Sequence, residues 1–516
     1  MSFSTQKKYY LEIGNASELT GIDKMMYRLF EMLPGLLAWV TLFGVVFISW
    51  ATPVFAAFFI IAFDLYWFFK TVFLSLHLRV SYNKTKKALQ TKWFERLQAK
   101  FPDAWPQITH LVILPFYNES WSVLNTTLTS FRQANYDLKK IMIVLGAEQR
   151  GGRKSLALAE KLKQKYAGFF GDFLITVHPD NITGELAGKG SNENWMGQQA
   201  QKKLVDKKGL DYKKVVVSVF DADTQIYPEY FGCLTWHYLR VKKPHRCSFQ
   251  PIPVFHNNIW DAPSFSRVAG FSCTFWQMMQ QARQDRLTTF SSQALSFRGL
   301  VDMDFWTPKN VSEDSRVFWK ALLAFDGRYR VVPLHYPVSM DANLAVTYWQ
   351  TTKNVYKQQR RWAWGAENVA YLLFGSLKNK KFPRWQKIKR NFEHIEGFWS
   401  WPTNALMIFL LGWLPLALGG QEFNQTALAY NLPKITRWIM TFAMVGIISS
   451  IIYSLSLVPK KPRRHGKRRY VWMVLQWFLI PINLIIFGSL PALDAQTRLL
   501  FGRYMGFWVT PKERRE

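Results

Sequence analysis

The sequence predicts an α/β domain on a mostly parallel sheet, flanked by transmembrane and interfacial α-helices. Two observations predict the layers. From Ile108 the chain alternates short apolar β-rich runs with helical segments, the pattern of a sheet covered by helices on both faces. Beyond that region, at both ends, lie apolar stretches close to the ~20 residues that a bilayer crossing needs. A third observation locates the chemistry: the polar motifs Phe220-Asp221-Ala222-Asp223, Ser312-Glu313-Asp314-Ser315 and Gln358-Gln359-Arg360-Arg361-Trp362 follow one another in order.

Residues 1–32 read as a polar, basic tail in which Lys7, Lys8, Lys24 and Arg28 favour the cytoplasmic side. No apolar run starts before Leu33, so no cleavable signal is expected. Within residues 33–78, Leu33 to Trp50 and Pro53 to Leu76 predict two transmembrane helices, with Asp64 and Lys70 facing protein or the interface. Residues 79–352 predict the α/β domain, entered by a Lys-rich helix over 79–100. Its parallel strands are expected at Leu111 to Leu114, Ile141 to Leu145, Phe173 to Val177 and Val215 to Phe220, with a helix over Arg153 to Tyr166. Residues 353–395, rich in Lys, Arg, Trp and Tyr, predict amphipathic helices in the membrane interface. Residues 396–492 hold the apolar stretches Gly397 to Leu418, Ile435 to Val458 and Tyr470 to Leu490, and 493–516 form a closing segment.

At 516 residues the chain is too long for one compact core. Its 66 Lys and Arg against 35 Asp and Glu give a net charge of +31. A nucleic-acid-binding protein can have that balance, but its basic patches are not usually set beside apolar spans. Here they are. Lys460 to Arg469 lies between two spans and Lys378 to Arg390 precedes another, the placement that marks a cytoplasmic face and attracts anionic lipids. Membrane lipids, not nucleic acid, are the expected partner, and the protein is expected in the plasma (inner) membrane with its α/β domain cytoplasmic. Cys233, Cys247 and Cys273 show no metal-ligand spacing, and their odd number fits a reducing compartment.

Asp221 and Asp223 follow the apolar run Val215 to Val219, where a strand end can aim two carboxylates at one divalent cation and the cation can hold a diphosphate. The alternative is helix capping. Glu313 and Asp314 offer a base, or else the acids of a first helical turn. Gln358, Arg361 and Trp362 share a face of a predicted helix, where Arg can bind diphosphate bidentately and Trp can carry a sugar ring; an interfacial helix enriches the same residues. Leu114-Pro115-Phe116-Tyr117-Asn118-Glu119 is either a nucleobase site or an ordinary strand-to-helix turn. Gly188-Lys189-Gly190-Ser191-Asn192-Glu193-Asn194 is either a flexible phosphate-binding turn or a solvated loop.

Together these residues closely resemble the inverting family-two glycosyltransferases of the processive type, which include cellulose, chitin and hyaluronan synthases. The resemblance covers about residues 108–365 and a piece of the C-terminus, and implies a GT-A-like, nucleotide-sugar-binding domain. It implies that Tyr117 and Glu119 contact the base, that Lys189 lies near the phosphates, and that Asp221 and Asp223 hold Mg²⁺ or Mn²⁺. By the same resemblance Asp314, with Glu313, supplies the general base, and Gln358, Arg361 and Trp362 form the Gln-x-x-Arg-Trp motif, Trp362 on the acceptor. Phe507-Trp508-Val509-Thr510-Pro511-Lys512 is similar to the Phe-x-Val-Thr-x-Lys gating loop, in which Phe507, Val509, Thr510 and Lys512 close over the donor.

Two departures stand out. The family carries an acid immediately after its second strand, whereas this chain reads Leu145-Gly146-Ala147-Glu148, so Glu148 substitutes from a shifted position. There are also about five apolar spans, fewer than large synthases have. A gating loop at Phe507 further requires Tyr470 to Leu490 to return to the face it left, for which Pro481 and Pro491 allow a re-entrant or broken helix. The expected function is sugar transfer from a nucleoside-diphosphate sugar, a UDP-sugar by preference, to a growing polysaccharide coupled to export. Single transfer to a lipid-linked acceptor is the alternative, and a noncatalytic membrane scaffold or transporter is the alternative of another class.

Overall fold

The structure is a computed structural model and describes residues 8–463, 465–511 and 514. An eight-stranded mixed sheet forms the α/β domain, in the order β3-β2-β1-β4-β7-β6-β8-β5. The strands are β1 Thr109–Phe116, β2 Ile141–Glu148, β3 Asp172–His178, β4 Val215–Val219, β5 Gln225–Ile226, β6 Cys247–Phe255, β7 Ala294–Ser296 and β8 Arg330–Met340. The first four are mutually parallel, as their continuous apolar runs predict. Such runs need cover on both faces, and they have it. Leu111, Ile113 and Val217 pack into one core with Trp319 and Phe374, while Val112, Leu114 and Val216 pack into another with Leu128 and Phe231.

β6 and β8 escape sequence pattern because each carries two prolines, Pro251 and Pro253 in one, Pro333 and Pro337 in the other. Proline removes a ladder donor and is tolerated at bulges. The β6–β8 register indeed shifts between Gln250 and Ile252.

Four helices are long and apolar enough to cross a membrane: Gly21–Ala51, Pro53–Gln90, Ala427–Leu457 and Arg468–Leu500. A fifth, Arg384–Phe409 with Leu411–Leu418, is bent by 51°. The first starts at Gly21, well inside the expected tail, while Tyr10, Leu11 and Ile13 are buried in the core of the α/β domain. The second runs through the expected Lys-rich entry helix as far as Gln90. Within it Asp64 is buried, and Lys70 pairs with Glu396 at 3.1 Å. Helix Glu367–Lys378, expected in the membrane interface, instead buries Ala370, Tyr371, Leu372 and Phe374 in the domain core.

Arg468–Leu500 is bonded along its length to other parts of the chain. Arg469 donates to the Trp260 carbonyl at 2.7 Å, Gln476 accepts from Arg267, Asn483 donates to the Phe265 carbonyl at 2.9 Å, and Asp494 accepts from Arg360 at 2.8 Å. The segment thus meets the α/β domain at Trp260, Phe265 and Arg267, helix Tyr348–Ala363 at Arg360, and the apolar helices at Trp39, Phe398 and Trp401.

Candidate active site

One cleft opens beyond the carboxyl ends of β1, β2 and β4, where ligands bind in open α/β sheets. It gathers Tyr117, Glu119, Glu148, Lys189, Asp221, Glu313, Asp314, Gln358, Arg361, Trp362, Phe507, Val509 and Thr510. Lys512 lies outside the described residues. Asp223 does not line the cleft. It is fully buried and accepts from the Asp341 amide at 2.9 Å. A turn closed by Thr224 N–H on the Asp221 carbonyl follows the strand, so the two residues no longer alternate as in a strand and their carboxylates part.

Gly188 to Asn194 is no flexible turn. Lys189 opens helix Lys189–Ala200 and is packed among acids. Its ammonium lies 2.6 Å from Asp221, 2.9 Å from Asp314, 3.3 Å from Glu313 and 3.5 Å from Glu193. Burial pulls its pKa down, yet these four carboxylates hold it well above the ordinary lysine value. Burial pushes Glu193 well up, and it pushes Asp314 to about 7 against the pull of Lys189 and with the help of Glu313 and Asp221. A carboxyl poised there suits a general base near neutral pH.

Around this cluster the chain holds each group in place. Ser291 Oγ donates to Asp221 at 2.7 Å, and Thr289 Oγ1 donates to the Asp314 carbonyl at 2.6 Å. The Arg361 guanidinium lies 4.7 Å over the Phe507 ring, and its buried Nε has no acceptor among the described residues. A buried donor without a partner is costly, and a diphosphate oxygen would satisfy it. Trp362 stands between Phe255 and Phe290, with ring centroids 6.1 and 6.0 Å away. Phe507 is close enough to Gly188 that a Cβ there would meet its Cβ at 2.6 Å, and Arg514 grips Asp341 at 2.9 and 3.0 Å. The C-terminal segment thus forms a wall of the cleft. We expect Gly188→Ala to displace Phe507 and lower turnover, with faster amide exchange over 505–511 as the check.

At the far end, β2 runs three residues past Leu145, so Glu148 stands at the strand's own end. Glu148 pairs with Arg150, whose guanidinium lies 4.4 Å over the Tyr117 ring. Arg150 was not legible in the sequence, although an arginine two residues beyond a strand-end acid was the available signal.

Glu367 was missed as well. Its buried carboxylate accepts from Val311 N at 3.1 Å, Ser312 N at 3.0 Å, Ser312 Oγ at 2.6 Å and Trp364 Nε1 at 3.0 Å. It therefore fixes the turn that presents Glu313 and Asp314. Removing a buried carboxylate leaves those donors unpaired, so Glu367→Ala should destabilise the fold by about 3 kcal/mol, measured by thermal unfolding.

Among the described residues no three His, Cys, Asp or Glu side chains converge as a metal cage. Asp221 on the cleft nevertheless fits an ion that arrives with a substrate, because Mg²⁺ commonly takes one or two carboxylates and completes its shell with phosphates and water. The surplus of carboxylates over the single Lys189 favours a cation there too.

No family model and no curated protein matches this chain. Among solved structures it is similar to the mannosyltransferase PcManGT from Pyrobaculum calidifontis, in complex with GDP-Man and Mn²⁺. Identity there is 14%, over 77% of this chain and 99% of that one, with a TM-score of 0.39. It is also similar to S. aureus TarS 1–349, at 11% identity over 70% of this chain and 95% of that one, with a TM-score of 0.36. At such scores the likeness is slight.

Proposed function

We propose that this protein is a membrane-embedded inverting glycosyltransferase that moves a sugar from a nucleoside-diphosphate sugar, a UDP-sugar by preference, to a growing polysaccharide. The observation that carries the reading is the convergence, from four distant stretches of chain, of Lys189, Asp221, Asp314 and the Arg361–Trp362 pair on one cleft. The Tyr117–Arg150–Glu148 stack would take the nucleobase, with Glu119 beside it. Lys189, Gln358 and Arg361 would hold the diphosphate, and Trp362 the acceptor's terminal sugar.

Asp314 would accept the proton of the acceptor hydroxyl as its oxygen attacks the anomeric carbon from the face opposite the diphosphate. The bond from that carbon to the diphosphate oxygen breaks, the configuration inverts, and the nucleoside diphosphate leaves. Arg361 and Lys189 would stabilise charge where it develops. A divalent cation on Asp221, Mg²⁺ or Mn²⁺, would supply further neutralisation of the leaving diphosphate. Lys189 would have to loosen its hold on Asp314 for the base to act, and the incoming phosphates offer it an alternative partner. Phe507, Val509 and Thr510 would gate entry, since a cleft of about 150 Å³ is small beside the ~300–1,000 Å³ that ligand pockets commonly have. The α/β domain would face the cytoplasm from the plasma membrane, and the polymer would leave between the apolar helices.

The purified protein, supplied with a panel of nucleotide sugars and Mg²⁺ or Mn²⁺, should release nucleoside diphosphate from one of them. No release from any would overturn the reading, and product length separates polymer synthesis from single transfer to a lipid-linked acceptor. Asp221→Ala should cost about 3 kcal/mol of transition-state stabilisation, some 10²-fold in rate. Activity that survives excess EDTA would remove the metal from the mechanism.

A further inference from the structure

Helix Tyr348–Ala363 has a second face. Gln358, Arg361 and Trp362 line the cleft, whereas Tyr356 and Arg360, one turn apart, point the other way. On that side lies a cavity of about 400 Å³ lined by Trp39, Tyr356, Leu493, Thr497, Arg498 and Arg503. Its walls come from helix Gly21–Ala51, helix Tyr348–Ala363 and the end of Arg468–Leu500, tied together by Trp39 Nε1 donating to Thr497 Oγ1 at 2.9 Å.

The cavity is amphipathic. Arg360 and Arg498 share the single carboxylate of Asp494, at 2.8 and 2.6 Å. Arg503 is exposed and has no ion-pair partner among the described residues. Three guanidinium groups around one carboxylate leave a local positive excess. Below them the surface is apolar and unbroken: Trp39 stacks on Phe43 at 5.3 Å, and Phe43 is exposed on the same outward stripe as Leu36, Val40 and Phe47 of a helix apolar enough to cross a membrane. A basic mouth above an apolar strip matches an anionic headgroup above an acyl chain.

We propose that this cavity binds an anionic membrane phospholipid, its phosphate on Arg498 and Arg503 and one acyl chain along Trp39 and Phe43. The bound lipid braces helix Tyr348–Ala363 through Tyr356 and the Arg360–Asp494 pair, so the membrane acts on the back of the helix that carries Arg361 and Trp362. A lipid held here lies on the opposite face of that helix from the cleft and is not the acceptor. The inference requires the apolar helices to lie in a membrane and does not depend on the reaction.

The test uses the full-length protein in mild detergent, exposed to phosphatidylglycerol or phosphatidylcholine, with retained lipid read by native mass spectrometry. Wild type should retain phosphatidylglycerol preferentially. Each arginine near the phosphate is worth about fivefold, so Arg503→Gln should lower retention about fivefold and the Arg498→Gln, Arg503→Gln double variant about 25-fold. Arg503 is exposed and has no ion-pair partner among the described residues, so its single variant tests the site even if the double variant does not fold. Amide exchange over Tyr348–Ala363 should slow on adding phosphatidylglycerol to wild type and remain unchanged in Arg503→Gln. Equal retention of the two lipids, full retention by Arg503→Gln, a co-purified polyprenyl phosphate instead of phospholipid, or unaltered exchange in wild type would each overturn the proposal. None of these readouts needs sugar transfer, so failure here is distinct from failure of the transferase reading.

Discussion

Asp314→Asn should bind donor normally and stop transferring sugar. The amide oxygen can still accept from Lys189, which lies 2.9 and 3.1 Å from the two Asp314 oxygens, so the local packing survives. What disappears is the proton acceptor, and a general base contributes typically ~10²–10⁴-fold. The same group sets an expectation for pH. Burial holds the Asp314 carboxyl near 7, so it is protonated and inactive below that pH and competent above it. Turnover should therefore fall as pH drops through about 7, and donor binding should not follow it. Turnover by the Asn variant above roughly a tenth of the normal rate, less than a general base is worth, would reduce Asp314 to an acid of the first helical turn.

Trp362→Ala should leave donor affinity nearly intact while transfer to acceptor falls about 10²-fold, the scale on which small misplacements of a bound substrate act. The ring sits on the cleft between Phe255 and Phe290, within a framework that holds its plane. Trp362→Phe should restore part of the rate, because a smaller ring still stacks on a sugar. If the residue only anchored a helix, the Ala variant would show lower yield or membrane retention with activity per folded molecule preserved. Donor affinity and acceptor transfer measured on one quantified, purified sample distinguish these outcomes. Full specific activity in the Ala variant would end the acceptor assignment.

Much of the fold is legible where local sequence and burial agree. β1 to β4 read directly as continuous apolar runs because helices cover both faces of the parallel half of the sheet. β6 and β8 do not, since Pro251, Pro253, Pro333 and Pro337 contradict strand propensity; Pro251 sits in the register shift and the other three lie beside it. The site is legible to a similar depth. Motif residues with unusual chemistry at strand ends announce themselves, whereas Glu367 acts by gripping other residues and carries no local signature, and Arg150 shows only as an arginine two residues beyond a strand-end acid.

The sequence by itself determined the layers, the membrane-length helices and the charged side chains that line the cleft, though not Phe255, Phe290, Ser291, Val311 or Met340 beside them, because hydrophobic period, span length and polar motifs are properties of neighbouring residues. It could not decide how far-separated groups meet. That Lys189 is held by Asp314 across 125 positions, that Asp223 turns inward to the Asp341 amide, and that the C-terminal segment brings Phe507 against Gly188 are products of tertiary packing. Each depends on which buried polar group finds a partner once the sheet and its helices have closed, and an unpaired charge in that interior costs too much for the alternatives to survive.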